Sequence, residues 1–138
     1  MSYHVGCNGT IYLKPNSCSE EFDLIENIAN EYFDCADDIS FSFQDREGVW
    51  SWNDGDVHKV SRIDIDICYY NYHEDDVYKF YKLIEPYIDE EKGAVFFWDS
   101  LEEDCFWKDE YSKGEWKECN GVKSYEEGKP FTLENIIV

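Results

Sequence analysis

Two aspartates, Asp64 and Asp66, flank one isoleucine in a segment that alternates isoleucine with aspartate from Ile63 to Ile67. In a strand they would share one face and lie roughly 6.5 to 7 Å apart, a spacing that could seat a cation or flank a scissile bond. A metal site needs further ligands, and a hydrolase needs a carboxyl group with a shifted pKa. Because the flanking residues specify neither, the pattern favours an extended acidic surface over catalysis.

The other residues that could do chemistry form no catalytic or metal-binding motif. Residues 53–60 (NDGDVHKV) lack the closing glutamate of an EF-hand, and the first four of them are typical of a hairpin turn. His4, His58 and His73 do not pair with cysteines at zinc-ligand spacing. The sequence has no nucleophile motif and no phosphate-binding glycine loop. We therefore expect a protein that is not an enzyme and that uses no catalytic residue, cofactor or metal.

The composition predicts a folded domain with basic partners. The 138 residues are 43% hydrophobic and 18% aromatic, which is enough to build a core, and they carry 32 acids against 12 Lys and Arg, a net charge of −20. Nucleic acids and anionic membranes should repel such a chain, and basic proteins should attract it. The alternative is that the acids serve solubility alone.

The cysteines predict a cytoplasmic protein with reduced thiols. The chain has six cysteines, but no C-x-x-C pair and no apolar signal segment before them. It also has no apolar run long enough to span a bilayer. We expect the thiols to be free, since disulfides are rare in the cytoplasm. The six are Cys7, Cys18, Cys35, Cys68, Cys105 and Cys119.

The first half of the chain predicts a strand, a helix and two more strands. Residues 8–14 begin with a turn signal and continue as a strand, and a box of Ser17 and Glu20 can cap the helix that follows. Residues 39–43 alternate strictly, and residues 48–52 return as the next strand. The helix should bury one apolar stripe. Its members are Phe22, Ile25, Ile28, Ala29 and either Tyr32 or Phe33.

The second half repeats this order. The isoleucine strand precedes a second helix that should stop near Pro86, and residues 94–98 form the next strand. Residues 104–108 and 115–119 form a final hairpin around residues 111–114. The tail, residues 130–138, either adds an edge strand or docks back. The apolar stripe of the second helix consists of Val77, Phe80, Tyr81, Ile84 and Ile88.

These elements predict a single α+β domain over residues 1–138. It should contain two strand-helix-strand-strand units, at about 9–53 and 61–110, that form a mainly antiparallel sheet with both helices on one face. An offset of 55 residues lays Phe22 on Val77 and Phe41 on Phe96, which predicts an internal duplication.

The charge is unevenly distributed along the chain. Residues 15–45 contain nine acids and no basic residue. In the second helix, Asp75 with Lys79 and Lys82 with Glu85 have spacings that allow pairing. Residues 108–129 carry five of the 12 basic residues and are nearly balanced. An unpaired acidic face costs stability through self-repulsion, so its presence indicates a function.

We expect the partner-binding acids to lie chiefly on the first helix and its exit. Helical periodicity places Asp23, Glu26 and Asp34 opposite the buried stripe, facing solvent. The acids of the balanced hairpin, Asp109, Glu115 and Glu118, should be dispensable. The leading set is Asp23, Glu26, Glu31, Asp34, Asp37 and Asp38, with Asp64 and Asp66 as a secondary set.

A row of carboxylates on a rigid scaffold can imitate the phosphates of a duplex, which carry about one charge per 1.7 Å of axis. In its size, its charge and its basic-free segment 15–45, the chain resembles the small acidic inhibitors that bacteriophages encode against host defence, such as anti-CRISPR and anti-restriction DNA mimics. This resemblance is one of class and involves no shared motif. It implies a cytoplasmic inhibitor that binds a basic, nucleic-acid-binding protein and does not itself bind nucleic acid or membranes.

Two other functions fit the same sequence. An immunity protein that neutralises a nuclease toxin would have the same size and charge. A small enzyme or ligand-binding module could use an aromatic sheet face, with Trp50, Trp52, Phe106 and Trp107 as candidates. For these aromatic residues, packing in the core is the favoured interpretation.

Overall fold

A computed structural model describes residues 4–45, 50–51, 59–101, 105–121 and 128–138. Residues 46–48 of the predicted turn at 44–48, residues 49 and 52 of the predicted strand at 48–52, and the predicted turn at 53–56 lie outside the described residues. In chain order the described elements are β1 (His4–Tyr12), α1 (Ser19–Tyr32), β2 (Asp38–Asp45), β3 (Trp50–Ser51), β4 (Val60–Asn71), α2 (Glu74–Ile84), a 3-10 helix (Glu85–Tyr87), β5 (Ala94–Ser100), β6 (Phe106–Ser112), β7 (Glu115–Gly121) and β8 (Lys129–Phe131).

The described strands form one antiparallel sheet in the order β3-β2-β4-β1-β5-β6-β7-β8. The predicted α+β fold is confirmed. The first strands of the two units, β1 and β4, pair at the centre, and β2 and β3 extend the sheet beyond β4, while β5 and β6 extend it beyond β1. The later strands of the first unit, β2 and β3, therefore lie beside β4 of the second unit. The later strands of the second unit, β5 and β6, lie beside β1 of the first.

The 55-residue offset relates the two helices but not the two central strands. Phe22 and Val77 are both buried, as the offset requires. The same offset would lay buried Ile11 on exposed Asp66, whereas an offset of 54 lays it on buried Ile65. An origin by duplication stays a prediction.

The sheet has one face under the helices and one open face. Along β4, Ile63, Ile65 and Ile67 are buried, and Asp64 and Asp66 lie on the other side, as the alternation predicts. Both helices bury their apolar stripes against the isoleucine side. The opposite side, with the two aspartates, is called the open face below.

Aromatic side chains fill much of the space between the helices and the sheet. The ring of Tyr81 stacks on that of Trp116 at 4.5 Å, and the rings of Phe33 and Phe80 meet edge to face at 4.9 Å. Trp107 is buried in this core, which confirms core packing as the interpretation of this residue. No helix in the described part of the chain is long and apolar enough to cross a membrane.

The start of α1 differs by one residue from the prediction. The N-cap is Cys18, whose backbone N–H donates to Oε2 of Glu21 at 3.1 Å. Ser17 does not cap the helix, because its hydroxyl donates to the carbonyl of Lys14 at 2.7 Å. The predicted box of Ser17 and Glu20 is therefore wrong, since the hydroxyl of Ser17 is used by the preceding turn.

The second helix stops near Pro86 as predicted, but its last apolar position is not helical. The α-helix ends at Ile84, and Pro86 lies in the 3-10 helix that follows. Ile88 has an extended backbone and pairs with Leu13, so it joins the core from a bridge next to β1.

The charge pairs expected on α2 are replaced by other contacts. Lys82 donates to the backbone carbonyl of Ile136, and Glu85 accepts a hydrogen bond from the indole N–H of Trp116 at 3.0 Å. Between Asp75 and Lys79 the described structure shows no ion pair.

The last strands form the predicted hairpin and settle the course of the tail. Lys113 and Gly114 both have positive φ, at 54° and 77°, as in the type I′ turns that join adjacent strands. The tail forms β8 against β7, and Leu133 beyond it is buried. Pro130 has no N–H to donate to a neighbouring strand, and it is tolerated here because β8 lies at the edge of the sheet.

Candidate functional site

The acids in the first part of α1 have local roles. Glu20 and Glu21 lie in the first turn, where negative charge is favourable beside the positive end of the helix dipole. Asp23 and Glu26 are half-buried, and each interacts with another group in the protein. The prediction that these two face solvent holds only in part, because α1 packs against α2 as well as against the sheet.

The acids at the end of α1 have no such role. Glu31 lies in the last turn and Asp34 just after it, and this turn contains no basic residue. Acids here face the negative end of the helix dipole, an arrangement that costs about 0.3 to 1 kcal/mol each at the surface. Glu31, Asp34, Asp37 and Asp38 are all exposed. The second half of the predicted acidic set is therefore uncompensated.

Asp66 lies beside the acids that follow α1. Asp38 pairs with Cys68 in the sheet, and the backbone N–H of Asp37 donates to the carbonyl of Cys68 at 3.0 Å. Burial raises the pKa of the Cys68 thiol, and the carboxylates of Asp66, Asp38 and Asp37 raise it further. Asp66 of the secondary set therefore lies near Asp37 and Asp38 of the leading set.

The start of α2 adds another acid to this region. Burial raises the pKa of Tyr70, and Asp76 and Asp34 add to that rise. Burial likewise raises the pKa of Tyr32, with further contributions from Glu31 and Asp76. These acids therefore act on tyrosines near the end of β4. Asp76 itself lies in the first turn of α2, where the helix dipole favours a negative charge. The acidic end, as the term is used below, consists of Glu31, Asp34, Asp37, Asp38, Asp66 and Asp76.

Asp64 differs from Asp66 although the two share one face of β4. The guanidinium of Arg62 meets the Asp64 carboxylate with two contacts of 3.2 Å, Nε to Oδ1 and Nη2 to Oδ2. The hydroxyl of Thr10 donates to the same carboxylate at 2.8 Å. The charge of Asp64 is thus largely compensated, while Asp66 is exposed. Nowhere in the described ranges do three or more His, Cys, Asp or Glu residues come together as a metal site.

Asp109, one of the three hairpin acids expected to be dispensable for binding, is fully buried, so its charge cannot be reversed without disturbing the core. The strand β6 alternates, and it turns Trp107, Asp109 and Tyr111 towards the helices. The Tyr81 hydroxyl donates to Asp109 at 2.5 Å and accepts from the Trp98 indole N–H at 3.0 Å.

Burial raises the pKa of Asp109 to about 7, against the opposing effect of the Tyr81 hydrogen bond. A carboxyl group with this pKa could act as a general acid or base. With no exposed surface, however, Asp109 cannot reach a substrate. Its role is structural.

The open face carries an exposed aromatic patch, formed mainly by residues other than those that the sequence suggested for an aromatic sheet face. Tyr69, Phe97 and Leu101 are 43%, 40% and 53% exposed, and they lie next to Asp66 and Asp99 around a hollow. Phe97 lies between Phe96 and Trp98 in a strand whose side chains alternate between the two faces. If those two neighbours are buried, Phe97 must be exposed, so the sequence could have indicated this. Of the predicted aromatic candidates, Phe106 also lines this hollow.

Comparison with known proteins finds no matching family model, no matching curated protein and no matching solved structure. No residue role is therefore carried over from another protein. The function proposed below rests on the charge and geometry of this chain.

Proposed function

We propose that the protein is an acidic inhibitor that binds a basic, nucleic-acid-binding protein and occupies its nucleic-acid site, in the manner of phage anti-CRISPR and anti-restriction proteins. The observation that supports this most is the acidic end. Its six carboxylates come from α1, the following turn, β2, β4 and α2. None of the six forms an ion pair within the described part of the chain.

Solubility alone does not account for this arrangement. Two carboxylates elsewhere on the open face are compensated: Asp64 pairs with Arg62, and Glu110 lies 3.4 Å from Lys108. At the acidic end, in contrast, Glu31 and Asp34 also oppose the helix dipole. A cluster of unpaired acids, two of which also oppose the helix dipole, lowers stability and therefore supports a binding role.

The scaffold beneath these acids is suited to mimicry. Asp38 and Asp66 lie on adjacent paired strands as diagonal neighbours, a relation that sets Cα atoms about 7 to 8 Å apart. Their backbones are held by the sheet, so little conformational entropy is lost when a partner binds. A basic channel built for phosphates would meet a fixed array of carboxylates.

Neutralisation of a nuclease toxin is the second candidate function, and the aromatic patch favours it. Exposed aromatic residues beside acids are typical of strong protein-protein interfaces, where a few large side chains supply most of the binding energy. A surface that imitates only phosphates would not need Tyr69 and Phe97.

A panel of purified basic proteins tests the proposal. The panel contains a CRISPR effector, a restriction enzyme and a nuclease toxin, each assayed for nucleic-acid binding with the protein added. We expect competition with nucleic acid for one panel member, and a marked loss of affinity between about 50 mM and about 200 mM salt. Binding that is indifferent to salt, or that leaves nucleic-acid binding intact, would contradict mimicry.

A further inference from the structure

A hollow of about 480 Å³ lies on the open face, at the edge of the acidic end. Side chains from β4, β5, β6 and the residue after β5 surround it, and β1 forms its floor. The aromatic hollow, as it is called below, is lined by the side chains of Tyr69, Phe97, Leu101, Phe106, Asp66 and Asp99.

The hollow exists because β1 has a glycine, Gly6, at this position of the open face. Gly6 pairs with Asp99 on one side and lies opposite a bulge of β4 on the other. A Cβ atom added at Gly6 would come no closer than 3.7 Å to another atom, the carbonyl oxygen of Ile67. A side chain at this position would therefore occupy the hollow without disturbing the core.

The bulge in β4 places an aromatic ring at the rim. Val5 pairs with Tyr70 and Cys7 with Ile67, so Cys68 and Tyr69 together oppose the single residue Gly6. Tyr69 has a φ of 53°, an uncommon conformation for a bulky residue, and its ring is exposed instead of buried. His4 stacks on this ring at 4.1 Å.

The charge around the hollow is of one sign. Asp66 and Asp99 line it, and among the residues that the structure describes no Lys or Arg does. Asp66 and Asp99 lie two strands apart and are offset by two residues along the strands. Standard strand spacings therefore place them about 12 Å from each other. The register places Asp66 and Asp99 at two diagonal corners of the hollow and the exposed rings of Tyr69 and Phe97 at the other two. This combination of negative charge and aromatic rings is complementary to arginine. The planar guanidinium pairs with carboxylates and stacks on aromatic faces, which a lysine ammonium does less well.

We propose that the aromatic hollow receives arginine side chains of the basic partner, with guanidinium groups at Asp66 and Asp99 and their stems on Phe97 and Leu101. This inference rests on the proposed function, since it names the part of the partner that is bound. Two arginines separated by one residue in an extended segment start about 7 Å apart, and their long side chains reach both aspartates.

Peptides test the arginine preference without any partner. Capped Arg-Ala-Arg, Lys-Ala-Lys and Glu-Ala-Glu are added to the ¹⁵N-labelled full chain, and amide chemical shifts are followed. We expect saturable shifts around the aromatic hollow for the arginine peptide, weaker binding of the lysine peptide, and none of the glutamate peptide. Equal binding of the arginine and lysine peptides, or shifts spread over all acids, would overturn the inference.

Two variants with matched controls test the site. Gly6→Val fills the hollow without changing the net charge. Its control, Asn120→Val, introduces the same side chain at an exposed position of β7 outside the hollow. Phe97→Ala removes an exposed ring, and Leu24→Ala removes a side chain of similar exposure on α1. We expect about tenfold or greater loss of peptide and partner affinity for the first member of each pair only.

The outcomes separate this inference from the proposed function. Inhibition that survives Gly6→Val and Phe97→Ala, but is lost when the acids after α1 are reversed, overturns the arginine site and leaves the proposed function standing. No inhibition of any panel member, with arginine peptides still bound in the hollow, overturns the proposed function alone. A dimer that Gly6→Val dissociates in sedimentation would show that a second copy of the chain occupies the hollow, and would overturn the inference.

Discussion

The buried carboxyl group of Asp109 should make the stability of the fold depend on pH. Burial raises its pKa from the ordinary value of 3.8 to about 7. A pKa difference of about 3 corresponds to about 4 kcal/mol at 1.36 kcal/mol per pH unit. Because the folded state holds the proton more tightly than the unfolded state, this stability is present below about pH 4 and is lost as the pH rises towards 7.

Asp109→Asn isolates this effect. The amide is neutral at every pH and keeps an oxygen that accepts the hydrogen bond of Tyr81. We expect the free energy of unfolding of the variant, relative to the wild type, to rise by up to about 4 kcal/mol between pH 4 and pH 8.

Urea denaturation at intervals of one pH unit measures this difference. Comparison with the wild type at each pH removes the general repulsion among the other acids. Glu115→Gln, at an exposed position of β7, serves as the control and should show no comparable trend. A constant difference between Asp109→Asn and the wild type across this range would refute the assignment of a raised pKa to Asp109.

Three further predictions concern the fold. Thermal melts should be the same with and without a chelator or a reductant, because the six thiols are free and the described residues hold no metal-binding cluster; a large drop with either reagent would contradict this. Lys113→Asn should raise the free energy of unfolding by about 0.5 to 1 kcal/mol in urea, because Asn tolerates the positive φ of the β6-β7 turn better than Lys; a loss of stability would argue against a type I′ turn. Tyr81→Phe should lower it by about 1 to 3 kcal/mol at pH 7, because it leaves Asp109 and the Trp98 indole without their shared partner; a neutral effect would mean that water replaces the hydroxyl.

The sequence was sufficient to predict the elements and which side of them is buried. Ile63, Ile65 and Ile67 alternate with aspartates, and Phe22 and Ile25 recur at helical spacing, so each element carries its own signal. The pairing of β1 with β4 at the centre of the sheet was not predictable in this way, because it depends on contacts between distant residues.

The candidate site was predicted only in part. The acids after α1 were found because the segment lacks basic residues, which is a local property. The burial of Asp109 was missed because a carboxylate is rarely buried, and only its hydrogen bond with Tyr81 explains why it is tolerated here. The exposure of Tyr69 was missed because a bulge turns two consecutive residues to the open face.

The proposed function makes one claim above all: that binding depends on the acidic end and not on total charge. The chain offers two sets of four exposed acids for a matched comparison. Reversing each set to lysine changes the net charge from −20 to −12, since each of four reversals adds two charges. The first set is Glu31, Asp34, Asp37 and Asp38, and the second is Glu90, Glu91, Glu115 and Glu134.

The affinity of these two variants for the panel member that the wild type inhibits is the most direct test. Single alanine substitutions at exposed positions should each cost a few tenths to about 1 kcal/mol. A reversal adds repulsion from the basic partner to this loss, so four reversals together should abolish inhibition. We predict that the first variant loses inhibition while its circular dichroism spectrum stays that of the folded wild type, and that the second keeps it. Equal loss in both variants, or loss in the second alone, would contradict the assignment of binding to the acidic end.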